Sequence, residues 1–126
     1  MNRESDNFTA ELILKQLGTV LAAQGTTFAG AMVVRRLLAE QRIPLGGVRI
    51  VDGSGLSRLN RLTAGTLVAM LRSAYDDTDL REVLHSALAV AGRNGTLRRR
   101  MRGSAAAGRV VAKTGTTREA SALSGF

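Results

Sequence analysis

The fold assignment starts from Arg109-Val110-Val111-Ala112-Lys113, a short run near the end of the chain with two adjacent β-branched valines. Because β-branched residues are favoured in strands, this run predicts a β-strand. The segment from Glu119 to Phe126 predicts a second strand. Helical patterns dominate the preceding sequence, so the predicted class is α+β, with too few strands for a complete sheet.

Two amphipathic helices are predicted in the first third of the chain. The first extends from Phe8 to Ala23, and the second extends from Phe28 to Gln41 behind a threonine cap. Ser5, Asp6 or Asn7 is expected to cap the first helix. The apolar residues at helical spacing are Phe8, Leu12, Ile13, Leu17, Val20 and Leu21 in the first helix, and those of the second include Phe28, Met32, Leu37 and Leu38.

The middle of the chain predicts one extended run and two further helices. Val48-Arg49-Ile50-Val51 favours a β conformation and leads into a loop at residues 52–60. Thr63 is expected to cap a third helix. Asp79, with Glu82 three residues later, resembles a capping box and predicts the start of a fourth.

Composition excludes several classes of function. The chain has 126 residues, which as a length indicates one domain or a piece of a larger one. It has no cysteine and one histidine, His85, so thiolate chemistry is excluded and a Ser-His-Asp relay is hard to assemble. We predict neither a metal site nor a cofactor. No apolar stretch is long enough for a transmembrane segment, and the first residues do not resemble a signal peptide.

The positive charge is concentrated towards the C-terminus. The formal net charge is +8, and residues 83–118 contain eight cations and no acidic residue. Such a stretch predicts a local electropositive surface that faces anions. The run Arg98-Arg99-Arg100 is more often a solvated face than a binding site.

Two short motifs matter in combination. Ser5-Asp6-Asn7 before a helix is most often a cap, and Lys113-Thr114-Gly115 at the end of a strand is most often the start of a turn. Together, however, Ser-Asp-Asn and Lys-Thr-Gly accompany Ser-x-x-Lys in the active sites of penicillin-binding proteins and class A β-lactamases. Their order along the chain and their predicted positions agree with that set.

Longer segments strengthen the resemblance. Residues 5–12 (Ser5-Asp6-Asn7-Phe8-Thr9-Ala10-Glu11-Leu12) and the loop 52–58 (Asp52-Gly53-Ser54-Gly55-Leu56-Ser57-Arg58) resemble penicillin-binding proteins of the D-alanyl-D-alanine carboxypeptidase/endopeptidase family. Gly95-Thr96-Leu97 and residues 107–116 resemble the region around the third motif of that family. The resemblance implies a fragment of the β-lactamase/transpeptidase-like fold, with a helical region and part of an antiparallel sheet.

The chain departs from the family pattern at one point. No serine is followed three residues later by lysine. In the family the nucleophile motif precedes the second motif, so it would lie upstream of Met1. We therefore expect residues 1–126 to be a partial penicillin-binding domain, truncated at both ends and inactive alone.

The resemblance implies a role for each motif residue. Ser5 would relay a proton between the absent lysine and the departing D-alanine nitrogen, and Asn7 would bind that lysine and a substrate carbonyl. Lys113 would supply positive charge beside Ser5. The substrate-binding residues would be Thr114, whose hydroxyl suits a terminal carboxylate, Gly115, which lets substrate lie close, and Thr116, whose N–H would enter the oxyanion hole.

The function implied by the resemblance is serine-type D-Ala-D-Ala carboxypeptidase activity through an acyl-enzyme, with endopeptidase activity as an addition. The implied partners are peptidoglycan stem peptides ending in D-Ala-D-Ala, and β-lactams as acylating inhibitors. The implied location is the periplasm or another extracytoplasmic part of the envelope.

Two alternatives stay open at this stage. The acid-free basic stretch also fits a nucleic-acid-binding module, although a chain with four aromatic residues is poorly supplied with stacking platforms. A non-catalytic cell-wall-binding remnant is the other.

Overall fold

A computed structural model describes all residues from Met1 to Phe126. The chain divides into two compact units. One, here called the helical unit, comprises residues 6–73. The other, here called the sheet unit, comprises residues 1–5 and 74–126.

The helices and strands confirm the predicted α+β class. The helices are α1 (Asn7–Ala22), α2 (Thr27–Glu40), α3 (Ala64–Asp76) and α4 (Thr78–Ala87), and a single 3₁₀ turn covers Gly95–Leu97. The strands are β1 (Ala89–Val90), β2 (Val111–Thr116) and β3 (Ser121–Gly125).

Short polar side chains begin each of the helices. Asp6 caps α1, its Oδ1 accepting from the N–H groups of Phe8 at 3.0 Å and Thr9 at 3.2 Å. Thr26 caps α2, and Thr63 Oγ1 accepts from Thr66 N–H at 3.0 Å in α3, both as predicted. The predicted capping box at Asp79 is wrong. Asp77 begins α4 instead, because its carboxylate reaches the N–H groups of the following turn.

In the helical unit, α1 and α2 pack through small residues. Gly18 and Gly30 are buried, and a Cβ added at Gly30 would overlap the carbonyl group of Leu14. A Cβ added at Gly18 would lie 3.2 Å from the Ala29 Cβ, so Ala29 belongs to the same contact, and Ala31 and Val33 of α2 are also buried. Close approach of two helices therefore depends on positions that lack large side chains.

The large apolar residues that carry the helical patterns of α1 and α2 are mostly exposed. Phe8 is 73% exposed and Phe28 is 74% exposed, and most of the other large apolar residues of the two patterns are also exposed. The physical reason is that the helices bury their small-residue faces against each other, and helical spacing of large residues does not show which face a neighbour covers.

No single helix is long and apolar enough to cross a membrane. The pair α1 and α2 reaches the required length and composition only when the two are taken together, across a bend of 74°.

The loop after the predicted extended run is held by Asp52. Residues 48–51 form only one bridge, between Arg49 and Arg61, rather than a strand. Asp52 accepts hydrogen bonds from the N–H groups of Gly55 at 2.8 Å and Ser57 at 2.7 Å, and from Asn60 Nδ2 at 2.7 Å. Burial raises the pKa of Asp52, but these hydrogen bonds outweigh it and hold the pKa below its ordinary value.

We therefore expect Asp52→Asn to destabilise the chain at pH 7 by about 1.5–3 kcal/mol, the range for hydrogen bonds to a charged group. Since the folded-state pKa is depressed, the contribution of Asp52 is complete above the unfolded value and is lost as pH falls through the folded value. Urea unfolding at pH 7 and pH 3 measures the destabilisation caused by Asp52→Asn, which should be smaller at pH 3. Glu82→Gln, on an exposed carboxylate of α4 that accepts no hydrogen bond, is the control; equal loss in both variants would contradict the role of Asp52.

The sheet unit is built on an antiparallel sheet in the order β1-β2-β3. Ala89 pairs with Ala112 and Val90 with Val111, whereas β2 and β3 pair from Ala112↔Gly125 to Thr116↔Ser121. Ala89, Leu97 and Ala112 are fully or almost fully buried and form the core, with Val110 packed against them. The core thus anchors the 3₁₀ turn to β2, the strand that carries Lys113.

Candidate active site

Ser5 and Lys113 are in direct contact in the sheet unit. The Lys113 Nζ donates to Ser5 Oγ at 2.7 Å, although 108 positions separate the two residues. Lys113 Nζ also donates to the carbonyl oxygen of Thr114 at 2.5 Å. Both side chains are half-buried. The structure therefore brings together one residue from each of the two short motifs.

The ammonium of Lys113 has an altered proton affinity. Burial lowers the pKa of Lys113 below its ordinary value, because desolvation disfavours the charged form. A lowered pKa makes loss of the proton less costly for Lys113 than for an exposed lysine. The pair can therefore act in proton transfer as well as supply positive charge to an anion.

The N-terminal segment positions Ser5. The carbonyl oxygen of Arg3 accepts from the N–H of Thr96 at 3.1 Å, and the Arg3 guanidinium donates to the carbonyl oxygen of Ser86 at 2.5 Å. Ser5 itself has a φ of 58°, in the left-handed region that is uncommon for a residue with a Cβ. Such a conformation persists where surrounding contacts impose it, and it is frequent at functional sites.

The backbone of β2 presents a free edge next to Lys113. Val111 and Phe126 exchange both of their N–H···O bonds, and Thr117 N–H donates to the Ala120 carbonyl. Antiparallel pairing alternates, so the backbone groups of Thr114 and Thr116 point away from β3. On that side β1 pairs only with Val111 and Ala112, so β1 does not lie opposite Thr114 or Thr116. The Thr114 carbonyl oxygen already accepts from Lys113 Nζ, so an extended peptide would pair with this edge through the remaining backbone groups of Thr114 and Thr116.

The remaining predicted site residues have distinct surroundings. The Thr114 hydroxyl donates to Thr96 Oγ1 at 2.8 Å. Gly115 and Thr116 are exposed in β2. Asn7 is exposed at the start of α1 in the helical unit. The role of Asn7 in binding the upstream lysine and a substrate carbonyl stays a prediction.

The motif Ser5-Asp6-Asn7 both caps a helix and contributes a residue to the candidate site. Asp6 is the cap of α1, and hydrogen bonds from the hydroxyl and the N–H of Thr9 hold the pKa of its carboxyl below the ordinary value. Ser5, one position earlier, contacts Lys113. A motif typical of a cap therefore also carries a residue of the candidate site.

One residue at the site could not be identified from the sequence. Thr96 contacts Thr114. It lies within a segment that resembles the family, but no local pattern shows a partner so distant along the chain. In the helical unit, Glu11 accepts from the N–H of Gly53 at 2.7 Å and from Thr27 Oγ1 at 2.8 Å, which ties the loop at residues 52–60 to α1 and α2. No group of three or more His, Asp or Glu side chains is placed to hold a metal ion.

Comparison with known proteins places the chain in a family. The sequence profile of the D-Ala-D-Ala carboxypeptidase 3 (S13) family matches residues 1–126. The D-alanyl-D-alanine carboxypeptidase of Actinomadura sp. (strain R39) is 42% identical over 127 residues, covering 97% of this chain and 23% of that protein. Carboxypeptidase DacB of Mycolicibacterium smegmatis is 39% identical over 133 residues, covering 100% of this chain and 28% of that protein.

Solved structures agree with the fold. Penicillin binding protein 4 of Haemophilus influenzae, in a complex with a β-lactam, superposes with a TM-score of 0.91 at 28% identity, over 100% of this chain and 30% of that one. The chain thus spans about a quarter of the length of its relatives, and its helices and sheet match part of a penicillin-binding protein. The chain belongs to the D-Ala-D-Ala carboxypeptidase 3 (S13) family.

Proposed function

We propose that residues 1–126 supply the second- and third-motif part of the active site of a serine D-Ala-D-Ala carboxypeptidase. The observation that carries the proposal is the 2.7 Å hydrogen bond from Lys113 Nζ to Ser5 Oγ. The substrate is a peptidoglycan stem peptide that ends in D-Ala-D-Ala, and the enzyme acts outside the cytoplasmic membrane. The chain forms part of one transpeptidase-like domain.

The proposed mechanism uses an acyl-enzyme. A serine nucleophile, carried by a Ser-x-x-Lys motif in sequence outside these residues, attacks the peptide carbonyl between the two D-alanines and gives its proton to the lysine of that motif. The new carbon–oxygen bond and the loss of the carbon–nitrogen bond leave an ester, and the departing nitrogen receives the proton from that lysine through Ser5, with Lys113 setting the proton affinity of the Ser5 hydroxyl. Water then hydrolyses the ester and regenerates the nucleophile.

The substrate is held along β2. The free edge at Thr114 and Thr116 supports pairing with the substrate backbone, and the absence of a side chain at Gly115 leaves room for it. The N–H of Thr116 supplies one oxyanion-hole donor. Lys113 and the Thr114 hydroxyl bind the terminal carboxylate, since charge-assisted bonds to a carboxylate are the stronger kind. The assignment of Asn7 to a substrate carbonyl rests on its motif alone.

Release of D-alanine tests the proposal. The protein expressed with its upstream coding sequence, including an in-frame Ser-x-x-Lys, is here called the extended protein. It is expected to release D-alanine from an acyl-D-Ala-D-Ala peptide. Ser5→Ala should lower the rate about 10²–10⁴-fold, the contribution of a positioned proton-transfer group. Residues 1–126 alone should release none. Activity of the short chain would contradict the predicted upstream nucleophile, and an inactive extended protein would favour the cell-wall-binding remnant.

A nucleic-acid-binding module is the second candidate, favoured by the exposed arginine run. Arg98, Arg99 and Arg100 are exposed, and none of them forms an ion pair. However, the sheet unit that carries this run has only two aromatic residues, Tyr75 and Phe126, and these pack on each other with ring centroids 5.4 Å apart, so stacking platforms beside the run are few. In a salt-titrated DNA assay we expect only non-specific affinity, with a Kd of about 10⁻⁴–10⁻⁶ M.

A further inference from the structure

The turn at Gly95 and Thr96 contacts both arms of the candidate site. One arm is the N-terminal segment that carries Ser5, and the other is β2, which carries Lys113 and Thr114. The turn follows β1 closely, and buried Leu97 anchors it in the core of the sheet unit. The turn is therefore held by the core, to which Ala112 of β2 also belongs.

The first contact is with the N-terminal segment. Thr96 N–H donates to the carbonyl oxygen of Arg3, two residues before Ser5, at 3.1 Å. Gly95 has a φ of +51°, and a Cβ there would overlap the Arg3 carbonyl and lie 2.7 Å from Arg3 Cγ. Only glycine allows this approach without a shift of the segment. The turn thus sets how close Ser5 comes to β2.

The second contact is between two hydroxyl groups. Thr114 Oγ1 donates to Thr96 Oγ1 at 2.8 Å, and both side chains are half-buried. A hydroxyl has one proton, so a Thr114 that donates to Thr96 cannot also donate to a ligand. When the Thr96 side chain turns so that its hydroxyl donates to Thr114, the Thr114 proton becomes free for a carboxylate. No covalent bond forms or breaks in this exchange.

We propose that Thr96 is a positioning residue for carboxylate recognition: its hydroxyl holds the Thr114 side chain in place and reverses the direction of their hydrogen bond when the substrate carboxylate binds. The inference rests on the proposed function and deepens it. Thr96 acts through Thr114, which touches the substrate. Its hydroxyl should therefore affect substrate binding more than the chemical step.

The test compares Thr96→Val, which removes the hydroxyl, with Thr96→Ser, which keeps it, in the protein expressed with its upstream sequence. For a peptide ending in D-Ala-D-Ala we expect Thr96→Val to raise KM about tenfold, as for a lost hydrogen bond, and to change kcat less than about twofold. Thr96→Ser should stay within about threefold of wild type, since the donor and acceptor remain. Thr19→Val, on an exposed face of α1, is the matched control.

A double variant separates positioning from a general packing effect. If Thr96 acts through Thr114, Thr96→Val should add little to Thr114→Val, and the pair should stay within about twofold of the single Thr114→Val variant. Additive losses would overturn the proposal, and so would a Thr96→Ser variant as impaired as Thr96→Val. An active wild type that is unchanged by Thr96→Val would overturn it while leaving the proposed function intact.

A crystal structure gives a readout that does not depend on activity. In Thr96→Val we expect the Thr114 hydroxyl to leave its present rotamer, whereas the 2.7 Å contact between Lys113 and Ser5 should persist because the Thr96 N–H is retained. An unchanged Thr114 rotamer would overturn the positioning role. Should the extended wild type prove inactive, the proposed function fails and this structural comparison still decides the role of Thr96.

Discussion

Replacement of Lys113 by alanine is expected to lower kcat/KM for D-alanine release by several powers of ten in the extended protein. Two effects combine. In the proposed mechanism, the terminal carboxylate of the substrate loses a charge-assisted contact worth about 1.5–3 kcal/mol. The Ser5 hydroxyl also loses the cation that sets its proton affinity, and catalytic electrostatics of this kind contribute further. Steady-state kinetics with an acyl-D-Ala-D-Ala peptide measure the loss.

Two further variants control this experiment. Lys113→Arg keeps the charge but replaces a compact ammonium with a planar fork, so its activity should be intermediate. Arg99→Ala removes an exposed arginine that forms no ion pair, and it should change the kinetics little. If Lys113→Ala behaved like wild type while Arg99→Ala lost activity, the arginine run would be the functional site.

Replacement of Gly30 by alanine is expected to destabilise the chain by about 3 kcal/mol or more, at the upper end of overpacking effects. The new Cβ would overlap the Leu14 carbonyl and lie 2.9 Å from Leu14 Cγ. The obstacle is backbone of α1, which cannot rotate away, so α1 and α2 must separate. Urea unfolding followed by circular dichroism measures the change.

Gly46→Ala is the matched control for this substitution. Nothing lies within 4 Å of a Cβ added at Gly46, and its φ is not in the left-handed region. Removing glycine flexibility from the unfolded chain should leave the stability unchanged or raise it by up to about 1 kcal/mol. Equal stability of the Gly30 and Gly46 variants would contradict the close packing of α1 against α2.

Local signals predicted the ends of most elements. Asp6 and Thr63 were identifiable as caps because a short polar side chain before an apolar helical pattern satisfies the free N–H groups beside it. Two features lay beyond such signals. Strand β1 has only two residues and therefore shows no alternation, and exposure of Phe8 depends on which face of α1 meets α2.

The sequence likewise identifies some residues of the candidate site and not others. Ser5 and Lys113 could be paired because both motifs belong to a known set, not because any physical signal connects residues 108 positions apart. Thr96 could not be assigned a role, since its partners Arg3 and Thr114 are brought to it only by the folded sheet. The role of a residue that acts through tertiary contacts can therefore be assigned only from the folded structure.

Acylation by a penicillin tests the central claim most directly. The extended protein is incubated with benzylpenicillin, its mass is measured, and the modified peptide is mapped. We predict one covalently bound penicillin per chain, on the serine of an upstream Ser-x-x-Lys, formed much more slowly in Lys113→Ala. A folded extended protein that gains no mass, or one acylated equally fast without Lys113, would contradict the assignment of Ser5 and Lys113 to a serine carboxypeptidase active site.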